Sequence, residues 1–139
     1  MNWDDFINQR KVKRARIDKQ KAKSLVAMSN EILNLFDNIV ISDKNASSIA
    51  SNYYEALREI IEAISLLRGW NVYSHEAFTI FLSELLNESR TAMVFDRMRK
   101  VRNRINYYGK KVSAIESEQN KKETHKLIKE LKKKYLGEL

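Results

Sequence analysis

No proline interrupts this chain of 139 residues, and glycine stands only at positions 69, 109 and 137. Proline breaks a helix and glycine weakens one, so long helices are the structure this sequence resists least. Hydrophobic residues make up 43% and charged residues 32% of the chain, enough for one substantial core within a single domain over residues 1–139. No apolar run approaches the roughly 20 residues that a membrane span needs. The start, MNWDDFINQRKVKR, lacks the apolar core and small-residue cleavage site of a secretory signal. Cysteine is absent, which excludes disulfide and thiolate chemistry, and a reducing, cytoplasmic location is expected.

Periodicity places the elements. A short helix is expected over residues 3–13, carrying Trp3, Phe6, Ile7 and Val12. Asp18 can cap a second helix reaching to about Ile41, with Ala22, Leu25, Met28, Ile32, Leu35, Phe36 and Ile39 as its stripe. After the polar break ISDKN, Ser47 or Ser48 opens a third helix built on Ile49, Tyr53, Leu57, Ile60, Ile61 and Ile64, and Gly69 fits a left-handed cap at its end. Ser74 opens a fourth helix with Phe78, Phe81, Leu82, Leu85 and Leu86. A basic helix to about Glu116 follows, with a kink or an end expected at Gly109, and a last helix covers residues 121–135. No strand-like alternation is present. The expected fold is all-α, an antiparallel up-and-down bundle of four main helices plus short terminal ones.

The net charge of +8 is laid out unevenly. Residues 97–111, RMRKVRNRINYYGKK, hold seven positive charges and no negative one, interleaved with Asn103, Asn106, Tyr107 and Tyr108. Met98, Val101, Ile105, Tyr108 and Val112 recur at helical steps, which puts Arg102 at the edge of the buried stripe. A desolvated lone cation is costly, so Arg102 needs either an internal acid or an anionic ligand. Glu55, Glu59 and Glu62, turn-spaced on the third helix, are the acids available to satisfy it.

Phosphate loops, GxSxG turns and HExxH pairs are all missing. His75 and His125 are the only histidines, and neither lies at ligand spacing with a second histidine or an acidic cluster, so no metal site and no cofactor are expected. His75, between Ser74 and Glu76, reads as a capping or surface residue, and His125 as solvated. What remains for chemistry is arginine and amides on one helix with tyrosines beside them. Arginine forks suit phosphate oxygens and aromatic rings stack bases. The competing reading packs Tyr107 and Tyr108 into a core or dimer seam.

Three segments, DKQKAKSLVAMSNEIL, SNYYEALREIIEAISLLRGWNVYSHEAFTIFLSEL and FDRMRKVRNRINYYGKKV, together resemble a HEPN domain (higher eukaryotes and prokaryotes nucleotide-binding) of the small stand-alone type. The family signature is an arginine, a polar residue that is often Asn, a short spacer and a histidine. Arg102 and Asn103 match its start, and Tyr107 or Tyr108 stands at the histidine position. The resemblance implies a toxin–antitoxin-like homodimer, metal-independent endoribonuclease activity in its active members, and a nucleotidyltransferase antitoxin as partner. In that reading Arg102, Asn103 and Tyr107 are the catalytic candidates, and Arg99, Asn106, Tyr108 and Lys110 bind RNA or nucleotide. Tyrosine, with an ordinary pKa near 10, is a poor proton shuttle where histidine is a good one, so recognition is expected before cleavage. The alternative is a catalytically inactive helical module that dimerises and docks an acidic or nucleotidyltransferase partner.

Overall fold

The computed structural model describes residues 1–137 and 139. It is an all-α bundle with one small two-stranded sheet: α1 (Trp3–Asn8), β1 (Val12–Arg14), α2 (Lys19–Phe36), α3 (Ala46–Leu67), β2 (Trp70–Val72), α4 (His75–Ile80), α5 (Ser89–Tyr108) and α6 (Ala114–Tyr135). A π-helical turn, Phe81–Leu85, continues α4.

Side-chain contacts fix the directions of the four long helices. Asp37 at the end of α2 meets His125 of α6, and Asn30 meets Lys132, so α2 and α6 run antiparallel. Met98 meets Thr124 and Glu88 meets Lys134, so α5 and α6 do the same. In α3, which packs against α2, α5 and α6, Tyr53, Leu57, Ile60, Ile61 and Ile64 are buried as their spacing requires.

Several boundaries differ from those the periodicity suggested. Residues 12–14 leave the first helix and pair antiparallel with residues 70–72, Val12 opposite Val72 and Arg14 opposite Trp70. Gly69 makes the approach feasible: its φ is +81°, and a Cβ there would meet the Ala15 carbonyl oxygen at 3.1 Å. The second helix stops at Phe36 rather than near Ile41. Its buried face contains Ala22, Leu25, Ser29 and Leu33, while Met28 and Leu35 are exposed. Ser29 explains the rotation, because its small side chain lets α2 approach α3 and its Oγ donates to the Ala56 carbonyl at 2.8 Å.

Gly109, at φ +63°, ends α5 in the left-handed conformation. The final helix therefore starts seven residues earlier than residue 121, at Ala114, with Ser113 as its cap. The connection between them is pinned to the rest of the bundle, Val112 N–H donating to Ser47 Oγ at 3.0 Å and Ala114 N–H to Asp43 Oδ1 at 2.9 Å. Among the described residues no helix is long and apolar enough to cross a membrane.

Candidate phosphate site at Arg102

Arg102 projects from α5 toward α3, half-buried. Its guanidinium carbon lies 5.8 Å from the centre of the Tyr54 ring, within cation–π range. Its hydrogen bond within the chain goes to a neutral group, Asn103 Oδ1, at 3.3 Å. Two of the three candidate acids of α3, Glu55 and Glu62, are engaged elsewhere, and the buried Glu59 forms no ion pair among the described residues. Arg58 takes both Glu55 oxygens, at 2.7 and 3.2 Å, and Glu62 at 2.6 Å. Among the described residues no carboxylate forms an ion pair with Arg102.

Most other cations on α5 are compensated. Arg99 donates to Asp96 Oδ1 at 2.8 Å, Lys100 reaches the second oxygen of that carboxylate at 2.9 Å, and Arg97 pairs with Glu123. Thr79 of α4 also donates to Asp96, at 3.2 Å, which ties the arginine face of α5 to α4. Asp96 is buried in part, and that alone would raise its pKa. The bonds from Lys100 and Arg99 outweigh burial and hold the carboxyl below its ordinary value.

His75 belongs to the same cluster, which its position at a helix start did not suggest. Ser74 makes no side-chain capping bond, and His75 is half-buried rather than on the open surface. Its Nδ1 lies 2.8 Å from the Tyr54 hydroxyl, and its ring lies 5.8 Å from the Tyr54 ring. Burial, then Arg58, Arg102 and Arg99, lower its pKa from the ordinary 6.5, so the imidazole is neutral at pH 7. Tyr54, stacked on Phe95 at 5.2 Å, is 1% exposed and its hydroxyl pKa is raised, chiefly by burial, so it remains protonated.

The tautomer follows. A buried hydroxyl donor left without an acceptor is costly, and Nδ1 is the acceptor within reach of Tyr54 among the described residues. The Tyr54 O–H therefore donates to Nδ1, which puts the imidazole hydrogen on Nε2. The cluster thus contains one guanidinium without an ion pair among the described residues and one neutral N–H donor, each held against Tyr54. No signal in the local sequence around His75 reveals this. The 21-residue separation from Tyr54 is spanned by the second half of α3, the turn at Gly69 and the short strand β2.

The other expected site residues are spread along α5. Arg99 and Arg102 both act on Tyr54 and His75, and Asn103 orients Arg102. Asn106, Tyr107 and Tyr108 are exposed toward the C-terminal end of the helix, Tyr107 at 72% and Tyr108 at 75%. Lys110 lines a separate hollow of about 270 Å³ with Val101, Arg104, Ile105 and Glu116, between α5 and α6.

His125, its side chain 38% exposed, is also bonded. Its Nε2 lies 2.8 Å from Asp37 Oδ1, the oxygen that also accepts from the buried Tyr53 hydroxyl at 2.5 Å. No group of three or more acidic or histidine side chains able to hold a metal ion occurs among the described residues. Comparison with protein-family models, curated proteins and solved structures finds no match for this chain.

Proposed function

We propose that the chain is a HEPN-type protein that binds RNA or nucleotide phosphate at Arg102. The observation that carries this reading is the half-buried Arg102, whose guanidinium meets Asn103 and the Tyr54 ring and no carboxylate among the described residues. Desolvation without a counter-charge is compensated when an anion enters, and a phosphate oxygen pair matches the guanidinium fork. Arg99, although paired with Asp96, still acts on Tyr54 and His75, and the Nε2–H of His75 supplies a further donor. Tyr107 and Tyr108, exposed at the end of α5, are placed to stack on a base or to meet a second copy.

With the hydrogen on Nε2, His75 donates to a phosphate rather than abstracting a proton, which supports recognition ahead of cleavage. The test incubates purified protein with single-stranded RNA in the presence of a chelator and measures both binding and chain scission. Wild type is expected to bind, Arg102→Ala to lose at least tenfold in affinity, and His75→Gln to lose less. Equal binding by wild type and Arg102→Ala would remove the basis for the site. Tyr107→His separates the reading from that of an inactive interaction module. If scission appears in that variant, the geometry is that of a ribonuclease lacking only its proton shuttle.

A further inference from the structure

On the side of the bundle formed by α2 and α6, two adjoining hollows of about 550 and 350 Å³ share Lys23, Leu136 and Leu139. Together they run along α2 from Lys19 to Asn30, about 16 Å at the rise of an α-helix. Their floor is aliphatic, the buried Leu136 with the half-buried Leu67 and Val26, and the exposed Ile17 and Ala27 stand at its two ends. Their walls are lysine. Lys19, Lys23 and Lys133 are exposed and form no ion pair among the described residues. Lys132 is half-buried and donates to the neutral Asn30 Oδ1 at 2.6 Å, and its desolvation lowers its pKa.

Apolar floor and cationic walls select the partner. We infer that this groove docks an acidic amphipathic helix of a partner protein, about three turns long, with apolar side chains on the floor and carboxylates against the lysines. RNA fits less well: no arginine lines the groove, and a sugar–phosphate backbone has no aliphatic face to bury against Val26 and Leu136. The inference is independent of the phosphate site, because none of the groove residues touches Arg102 or His75.

The probe is a fluorescein-labelled 15-residue peptide of Leu and Glu in helical amphipathic order, with a scrambled peptide of the same composition as control. Anisotropy titrations compare wild type, Lys23→Glu/Lys133→Glu, Lys23→Gln/Lys133→Gln and Arg102→Ala. Both lysines are exposed, so the double variants should fold, which circular dichroism melting checks. Wild type is expected to bind the ordered peptide at least tenfold more tightly than the scrambled one. Charge reversal should weaken binding at least tenfold, neutralisation about threefold, and Arg102→Ala not at all. Absence of saturable binding, equal binding of the two peptides, insensitivity to charge reversal, or displacement of the peptide by oligo(U) would each overturn the inference.

Discussion

The Tyr54 hydroxyl and His75 Nδ1 lie 2.8 Å apart, joining the middle of α3 to the start of α4 beneath the guanidinium of Arg102. That bond decides which imidazole nitrogen carries the hydrogen, and the arginines decide whether the ring is charged.

Arg102→Ala should therefore raise the pKa of His75, since it deletes one of the cations that depress it. A ¹H–¹⁵N imidazole titration followed by NMR reads the shift directly, and an unchanged or lower value would contradict the placement. The stability consequence has a definite sign. A folded-state pKa below 6.5 means that the unfolded chain binds the proton more readily. The contribution of His75 is complete above about 6.5 and is lost as pH falls toward the folded-state value.

Glu59 has the opposite pH dependence. It is 2% exposed, its Oε2 has no hydrogen-bond partner among the described residues, and burial, opposed by Arg58 and helped by Glu55, Glu62 and Glu31, pushes its pKa up to about 7. The folded chain binds this proton more tightly than the unfolded one, so stability falls as pH rises from 4.5 through about 7. Glu59→Met replaces an unpartnered carboxyl with apolar volume. It should stabilise the protein at pH 8 by roughly 1–3 kcal/mol and flatten urea midpoints across that window. A destabilised variant at pH 8 would show that the carboxylate is compensated.

Asp37 holds α2, α3 and α6 together through one carboxylate. Burial alone would raise its pKa, but the bonds from Tyr53 and His125 outweigh that effect and hold it below 3.8. The stabilisation it gives is complete above that value and lost on acidification below it. Asp37→Ala leaves the Tyr53 hydroxyl buried without an acceptor, at a cost of about 1–3 kcal/mol. Asp37→Ala/Tyr53→Phe should recover part of that loss in denaturant melts, because the orphaned hydroxyl is gone. No recovery would indicate that His125 carries the contact.

Both left-handed glycines should resist a side chain, unequally. Gly109→Ala meets no atom within 4 Å and costs only the conformational strain of a positive φ, about 1 kcal/mol. Gly69→Ala adds the 3.1 Å approach to the Ala15 carbonyl, so it should be the more destabilising of the two in thermal melts. It should also loosen the β1–β2 pairing, seen as faster amide exchange at Ala15, whose N–H donates to the Gly69 carbonyl at 2.8 Å.

How far the sequence revealed this arrangement depends on the length of each pattern. The stripe of α3 was readable because Tyr53, Leu57, Ile60 and Ile64 repeat over about three turns of helix. The strands were not, because VKR and WNV are three residues each and show no period until they meet across the chain. The buried face of α2 was misplaced since apolar spacing alone favoured Met28 and Leu35, while close approach and a hydrogen bond favoured Ser29. Arg102 could be picked out from its place beside Met98 and Ile105. His75 could not, since its neighbours come from α3 and α5 and nothing within a few residues of it encodes them.

Salt dependence separates Arg102 from its neighbour Arg99. Each phosphate neutralised on a single strand releases counterions and contributes about −0.7 to the slope of log K against log salt concentration. Arg102 forms no internal ion pair among the described residues, so its full charge is available to a phosphate. Arg99, by contrast, is compensated by Asp96 at 2.8 Å. Arg102→Ala should therefore reduce the slope by about 0.7, whereas Arg99→Ala should change it less. Asn103→Ala removes an orienting contact and no charge, so it should weaken binding while the slope stays constant. Binding of oligo(U) by fluorescence anisotropy at several salt concentrations measures all three. An equal change of slope in the two arginine variants would show that the Asp96 pair opens on binding and that the two guanidinia act as one clamp.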